Sequence, residues 1–401
     1  MRGGLDRSWW VVAGGVCAAI HVGKLPPALP VLREALDISL VQAGFLISMV
    51  QMAAMGLGLA VGVASDALGL RRVMVAGLAL LSATSAAGAF ATDAWVLLAL
   101  RAAEGLGFVL SVTPAPSLIR RIVPPAQLDA RMGVWATHMP LAIALALLAG
   151  PPWVAAWGWP SWWWCTGLLS AAMALAIAQG VPADPPASAR VPSEWRSRLA
   201  QTLGARGPWL VALAFAVYSS QWLAVVGFLP TLYAQAGLAP AWAGVASAMA
   251  AAANMVGTVA AGRLLQAGVA PTRLLRTGYS VMAVASVLLY APVWPVGGLS
   301  WAGPFAAVLL FSAVGGLVPA TLFSQAVRVA PSPATVSTTV GWMLQWSCLG
   351  QFSGPPIVAW IATQAGGWSM SWVYMASCAA VGLGLAGALG RLHSRRAGVG
   401  T

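Results

Sequence analysis

Apolar segments of about 20 residues alternate with short polar or basic segments along the whole chain. A helix of that length crosses the roughly 30 Å hydrocarbon core of a bilayer and satisfies its own backbone hydrogen bonds. The pattern therefore predicts twelve membrane-spanning helices, numbered here as spans one to twelve. They lie near residues 9–30, 41–61, 73–91, 95–117, 132–152, 162–180, 208–233, 241–262, 277–292, 300–325, 339–361 and 370–390.

The composition agrees with a membrane protein and excludes a soluble one. Hydrophobic residues make up 60% of the chain and charged residues 7%, whereas soluble domains carry about 25% charged residues. We therefore predict an all-α membrane protein.

The distribution of basic residues predicts the orientation of the chain. With a cytoplasmic N-terminus, all of the 21 Lys and Arg residues except Lys24, Arg33 and Arg101 lie in cytoplasmic segments. This is the positive-inside bias. It predicts a multi-pass protein of a bacterial-type inner (plasma) membrane with both termini in the cytoplasm, and it accounts for the net charge of +12 without nucleic acid as a partner.

One long segment rich in Pro and in mixed charge separates the spans into two groups of six. It predicts an N-terminal six-helix bundle over residues 1–180, a cytoplasmic linker over 181–207, and a C-terminal bundle with a short cytoplasmic tail over 208–401. Similar residues recur at a shift of about 200, as in Leu29-Pro30 with Leu229-Pro230. Such a duplication is typical of transporters whose site lies between two halves.

The loop between spans two and three holds a charged cluster of Asp66, Arg71 and Arg72 with Gly62 and Gly69. Charges are least costly at the water-facing mouth of a helical hairpin, and Gly69 permits the positive φ of a tight turn. Taken alone, the cluster can be an ordinary polar loop that faces the cytoplasm.

Two motifs carry a family resemblance. The loop resembles the pattern G-x-x-x-D-R-x-G-R-R, with Ala67 in place of an Arg, and Arg101–Gly107 fits R-x-x-[QE]-G-x-G. The chain resembles the major facilitator superfamily, and Pro116–Arg121 is weakly similar to its cyanate-permease branch, which handles small anions. The resemblance implies two six-helix pseudo-repeats in the major facilitator fold, with the loop closing a cytoplasmic gate.

Three charged side chains fall inside spans, namely Lys24, Arg101 and Glu104. At 1.5 Å per residue, Lys24 and Arg101 lie about 6–7 Å to the outer side of their span centres. Two cations against one carboxylate favour an anionic substrate, which Arg101 can bind through two hydrogen bonds. The alternatives are a self-neutralising Arg101–Glu104 pair on one helix and a Lys24 that snorkels to the outer interface.

Titratable groups beside these charges are candidates for proton coupling. Glu104 is the first candidate carrier. His21 lies one turn before Lys24 on the same helix face and His138 lies in span five. For each histidine the alternative is a purely structural role.

The second half offers polar and aromatic groups at depths that suit a cavity. They are Tyr218, Gln221, Trp222, Asn254 and Gln345. Each can equally be a contact between helices. The tryptophans at 153, 157, 159 and 162–164 are predicted to form an interfacial aromatic belt.

These features favour a secondary transporter of a small solute, with an organic or inorganic anion as the first candidate and a proton as the candidate coupling ion. The alternatives are a proton-driven exporter of drugs or amphiphiles and a non-transporting sensor with a transporter fold. No nucleophile–base set, metal-ligand spacing or P-loop pattern is present in the sequence. We therefore expect no enzymatic activity, metal or cofactor, and a monomer whose partners are its solute, protons and the bilayer.

Overall fold

The computed structural model describes residues 7–124, 131, 134–135, 137–184, 195–291, 302–332 and 335–398. All the regular elements within these ranges are helices, which we number α1–α16. The first eight are α1 (Ser8–Gly23), α2 (Leu25–Ala35), α3 (Leu40–Ser48), α4 (Met52–Leu68), α5 (Leu70–Gly88), α6 (Ala94–Val112), α7 (Ala115–Ile122) and α8 (His138–Gly180). The others are α9 (Trp195–Gly204), α10 (Arg206–Gln235), α11 (Pro240–Gln266), α12 (Pro271–Tyr290), α13 (Ala302–Gly315), α14 (Leu317–Val329), α15 (Val336–Gln364) and α16 (Ser371–Gly398).

The predicted spans coincide with these helices. Within the described ranges, nine helical segments are long and apolar enough to cross a membrane. One of them, α8, has 43 residues and turns at Gly158, where φ is 75°. It therefore holds spans five and six, while α12 and α15 occupy the positions of spans nine and eleven. The helices in the described ranges are therefore consistent with twelve spans, and the predicted all-α membrane fold is confirmed.

Several spans are broken helices whose interruptions follow from the sequence. Span one changes from α1 to α2 at Lys24, where Pro26 and Pro27 supply no N–H for the helical ladder. Span two passes from α3 to α4 through a 3₁₀ segment, Met49–Gln51. A break of this kind leaves carbonyl groups in need of other donors, which is important for the site below.

Side chains in two loops between helices define where two spans begin. The Ser39 hydroxyl and the Gln42 side chain form a reciprocal capping box at the start of α3. The Asp93 carboxylate accepts hydrogen bonds from the backbone N–H groups of Trp95 and Val96 at the start of α6. Both caps satisfy backbone donors that the first helical turn leaves free.

Helices α5 and α6 approach closely because glycines face each other. A Cβ atom on Gly77 would lie 2.7 Å from the Gly107 carbonyl oxygen, and one on Gly107 would lie 2.9 Å from that of Gly77. Small residues at such a crossing allow backbones in a membrane to pack directly. This contact fixes the depth of Arg101 and Glu104 on α6 relative to α5.

Contacts divide the chain into two compact units. The first comprises Met1–Ser193 with Leu229–Ala248, and the second comprises Glu194–Phe228 with Met249–Thr401. The boundary at residues 193–194 falls inside the predicted linker, whose residues 185–194 lie outside the described ranges. The predicted domain limits remain a prediction.

Candidate functional site

The three charged residues predicted inside spans meet in the interior of the first unit. Glu104 on α6 accepts a hydrogen bond from the Lys24 ammonium through Oε1, and Arg101 Nη1 lies 2.5 Å from Glu104 Oε2. Lys24 and Arg101 are 0% exposed, and Glu104 is 1% exposed. The carboxylate therefore bridges two cations, and the snorkelling alternative for Lys24 is wrong.

Arg101 joins three helices through its remaining donors. Its Nη1 donates to the carbonyl oxygen of His21 on α1 at 2.7 Å, and its Nε donates to that of Leu46 near the end of α3 at 3.2 Å. These carbonyls lie next to the interruptions of spans one and two. The Arg101–Glu104 pair is thus present as predicted on one helix, and it also holds two neighbouring spans.

One end of the guanidinium has no acceptor. Arg101 Nη2 is buried and makes no hydrogen bond within the described residues. An unpaired donor in a water-free interior costs about 1–3 kcal/mol, and more when it is charged. A hydrogen-bond acceptor placed beside Nη2 would remove this cost.

Lys24 is supported by groups other than Glu104. Its ammonium donates to Ser85 Oγ on α5 at 2.7 Å and lies 4.7 Å from the centroid of the Trp163 ring. A cation over an indole face is attracted by the negative charge of that face. The ammonium thus has two contacts in addition to the carboxylate.

Two of the tryptophans assigned to the aromatic belt belong to this site. Trp162 Nε1 donates to the Lys24 carbonyl oxygen at 3.0 Å, and Trp163 is 1% exposed. Trp157 and Trp164, which are 65% and 40% exposed, fit the belt. The belt prediction is wrong for Trp162 and Trp163, because span six turns them into the bundle.

His21 also faces the cluster. Its Nδ1 lies 3.6 Å from Glu104 Oε1, and its Nε2 lies 2.7 Å from Ser170 Oγ on α8. His138 does not join this group of contacts. Its Nδ1 lies 2.7 Å from the Trp135 carbonyl oxygen, and its ring stacks on that of Trp135. Within the described ranges no group of three or more His, Cys, Asp or Glu residues is arranged to hold a metal ion.

Three of the polar residues predicted in the second half form a neutral cluster in the second unit. Asn254 Nδ2 donates to Tyr218 Oη at 2.8 Å and to the Ser312 carbonyl oxygen at 3.1 Å. Trp222 Nε1 lies 3.2 Å from Ser312 Oγ. The two units therefore differ in chemistry, since the buried network of the first is charged and that of the second is not.

Gln221 and Gln345 make no observed hydrogen bond to that cluster. Gln221 Nε2 donates to the Val217 carbonyl oxygen of its own helix at 2.9 Å. The carbonyl oxygens of both glutamine side chains are buried and have no partner among the described residues. Both side chains thus keep an acceptor available.

The loop cluster is more helical than predicted. Helix α4 continues to Leu68 and α5 begins at Leu70, so Gly69 alone connects them, with φ 107° and ψ 125°. The predicted positive φ at Gly69 is confirmed. Gly62 and Asp66 lie within α4, but their side chains are outside the described part of the chain.

Asp184 and Arg71 join the ends of α5 and α8. The Asp184 carboxylate accepts hydrogen bonds from the backbone N–H groups of Arg71 and Arg72, both at 3.0 Å. Arg71 Nη1 donates in return to the carbonyl oxygens of Ala178 and Val181 at 3.0 and 3.1 Å. An anion at a helix N-terminus and a cation at a C-terminus both match the helix dipole.

Arg121, at the end of span four, also binds Asp184 and the end of α8. Its Nη1 donates to Asp184 Oδ1 at 2.9 Å and its Nη2 donates to the Pro182 carbonyl oxygen at 3.1 Å. A Cβ atom on Gly69 would lie 2.5 Å from Asp184 Oδ2. Gly69 therefore provides room for the carboxylate as well as the turn.

We expect Asp184→Asn to destabilise the first unit by about 1 kcal/mol, as loss of a helix cap does. Burial acts to raise the pKa of Asp184, but the hydrogen bonds from Arg71, Arg121 and Arg72 outweigh it and lower the pKa. The stabilisation is thus present above the pKa of an unfolded aspartate, about 4, and is lost as the pH falls through the lower folded value.

Thermal unfolding of Asp184→Asn and wild type at several pH values measures this effect. The difference should be constant between about pH 5 and 8 and should shrink below about pH 4. A difference that disappears on going from pH 8 to 6 would contradict the assignment.

Partial signals in the sequence point to some of the residues that were missed. Asp184 is a carboxylate just after span six, close to a basic loop, but only the folded chain brings it to α5. Ser85 and Trp163 lie in apolar segments with nothing in the pattern to distinguish them. Their role follows from the packing of α5 and α8 against Lys24.

Comparisons with known proteins agree with this architecture. A family model described as Major Facilitator Superfamily matches residues 11–355. A search of curated proteins gives no significant match.

Solved transporters have a similar fold at low sequence identity. A bacterial homolog of the human lysosomal transporter Spinster, inward-facing and occupied, gives a TM-score of 0.76 at 17% identity over 97% of this chain and 96% of that one. Its unoccupied form gives 0.72 at 16% identity over 98% of both chains. A mutant of the nucleoside transporter NupG gives 0.78 at 11% identity over 96% of this chain and 100% of that one. Since the family model covers most of the sequence, the chain belongs to the Major Facilitator Superfamily of membrane transporters.

Proposed function

We propose that this protein is a secondary active transporter that moves a small anion across the membrane by alternating access. Membership of the superfamily supports the transporter class. The observation that carries the anion assignment is the charge of the buried cluster, in which Lys24 and Arg101 share one carboxylate, Glu104. Removing charges from water costs several kcal/mol per ion unless each is paired. A bound anion supplies the missing negative charge.

The unused donors define where such an anion would bind. Arg101 Nη2 has no acceptor among the described residues, and the Lys24 ammonium also contacts Ser85 and Trp163. Because Nε and Nη1 of Arg101 already donate to protein acceptors, Nη2 is the guanidinium nitrogen that an oxyanion would contact. All three charged residues are inaccessible to solvent in this conformation, so substrate entry requires the spans around them to separate.

The buried neutral cluster of the second unit supplies further candidate residues for solute binding. They are Tyr218, Trp222 and Asn254, with the carbonyl oxygens of Gln221 and Gln345 as acceptors. The observed bonds among the first three also fit the alternative of contacts between helices.

The Glu104 carboxylate is the proposed proton carrier, with His21 beside it at 3.6 Å. We expect Glu104→Gln to abolish the pH dependence of transport between about pH 5 and 8, because glutamine keeps the shape of the side chain and cannot ionise. Proteoliposome uptake at a series of external pH values measures this. Asp184→Asn serves as the control, since its carboxylate lies outside the spans. A Glu104→Gln profile that follows the wild-type pH profile would remove Glu104 from coupling.

The segment of Gly62, Asp66, Gly69, Arg71 and Arg72 is the proposed cytoplasmic gate. Its support is the family motif together with the bonds of Arg71 to the end of α8. Partly solvated ion pairs are individually weak, and such contacts can form and break in each cycle. The proposed topology places this segment and both termini in the cytoplasm of an inner membrane, with the monomer as the working unit.

A ligand-stabilisation screen on the purified protein tests the proposed substrate class. The panel contains cyanate, nitrate and small carboxylates, with neutral and lipophilic cationic solutes for comparison. A ligand that binds the folded state raises the unfolding temperature by mass action. The proposal expects stabilisation by small anions. Stabilisation by lipophilic cations alone would favour an amphiphile exporter instead.

A further inference from the structure

The buried charges of the first unit do not cancel. Among the described residues, the buried side chains that can carry charge are Lys24, Arg101, Glu104 and His21. With a neutral histidine, two cations and one carboxylate leave a single positive charge. In a medium with few mobile dipoles, an uncompensated charge is costly. The ligand that removes this cost has one negative charge.

We propose that Glu104 sets the valence of the substrate, so that the site selects a monovalent oxyanion over a divalent one. This inference rests on the proposed function and deepens it. While it is ionised, Glu104 balances one of the two positive charges, which leaves one for the solute. A divalent anion would leave the closed site with a net negative charge, and a neutral solute would leave it positive.

The geometry supports a charge-setting role for Glu104. Its two oxygens are divided between the cations, Oε1 toward Lys24 and Oε2 toward Arg101. It thereby leaves Arg101 Nη2 as the buried donor without an acceptor. Ser85 and Trp163 keep the ammonium of Lys24 in place. The positions of the two cations therefore do not depend on where the solute lies between them.

Charge-changing variants of the full-length protein test the inference. Nitrate and sulfate serve as oxyanion probes of different valence, with acetate and succinate as a second pair. Apparent dissociation constants come from the shift of the unfolding temperature with ligand concentration. The dissociation constant of the wild type for nitrate should be at least about tenfold lower than that for sulfate.

Each variant has a distinct expected result. Glu104→Gln leaves two buried cations and should reverse the preference in favour of sulfate. Lys24→Met leaves a neutral Arg101–Glu104 pair and should weaken nitrate binding about tenfold or more. The double variant Lys24→Met/Glu104→Gln again has one positive charge, on Arg101, and should recover nitrate binding to within about threefold of wild type.

Controls separate this inference from the proposed function and from folding. Glu34→Gln removes a carboxylate from an exposed position on α2, outside the site, and should leave the preference for nitrate unchanged. If Glu104→Gln does not fold because two cations repel each other, Lys24→Met and the double variant still decide, because neither has more than one cation in excess. Failure of the double variant to recover nitrate binding would overturn the valence role while leaving an anion transporter intact. Absence of stabilisation by any anion in wild type would overturn both.

Discussion

Replacing Arg101 by alanine is expected to destabilise the first unit by about 3–5 kcal/mol, the range found when one partner of a buried ion pair is removed. The change leaves Glu104 with Lys24 as its single close cation. It also removes the donors to the carbonyl oxygens of His21 and Leu46, which lie beside the breaks in spans one and two. Thermal or denaturant unfolding of the purified protein measures the loss.

Two variants serve as controls for Arg101→Ala. Arg101→Lys keeps the charge but lacks the planar fork that reaches both carbonyls, so an intermediate stability is expected. Arg72→Ala removes a guanidinium from an exposed residue and should change the stability by less than about 0.5 kcal/mol. Wild-type stability of Arg101→Ala would mean that the guanidinium does not hold the three helices together.

The second large effect is expected at Trp163. Removal of a buried aromatic side chain typically costs about 3–5 kcal/mol, and Trp163→Ala also removes the indole face next to the Lys24 ammonium. We therefore expect lower stability together with weaker anion binding, because Lys24 loses one of its supports. Unfolding temperature with and without nitrate reports both quantities.

The neighbouring tryptophan provides a matched control. Trp164 differs by one position along the same helix, is 40% exposed and packs edge to face with Phe90. Trp164→Ala should leave nitrate binding unchanged. If both alanine variants affected nitrate binding equally, Trp163 would be acting through general packing and its assigned contact with Lys24 would be wrong.

The helices and their number were predictable because hydropathy alone governs which segments enter a bilayer. Span one was placed at 9–30, and α1 and α2 cover Ser8–Ala35. The positive φ at Gly69 was also predictable, since a charged hairpin turn between apolar runs needs a residue without a side chain. These features depend on local sequence and on the membrane as a solvent.

The site was predictable in its residues but not in its contacts. A charged side chain inside a span has a high energetic cost and therefore indicates a functional role. This criterion identified Lys24, Arg101 and Glu104. Whether the cations point at the carboxylate, at solvent or at lipid depends on the rotation of each span. Rotation is set by close contacts such as that between Gly77 and Gly107, which a hydropathy pattern does not encode.

The same limit explains the errors. An aromatic run at the end of a span is usually interfacial, and Trp157 and Trp164 follow that rule. Trp162 and Trp163 do not, because the turn at Gly158 sends the chain back into the bundle. Asp184 was missed because its partners are 63–113 residues away in the sequence.

Solute uptake by proteoliposomes tests the central claim most directly. Wild type and Lys24→Ala are reconstituted in parallel, and the uptake of nitrate is compared with that of a neutral and a cationic solute. The account predicts nitrate uptake by wild type and its loss in Lys24→Ala, with both proteins folded. Uptake of the cationic solute by both proteins, without nitrate uptake by either, would contradict an anion site built on Lys24 and Arg101.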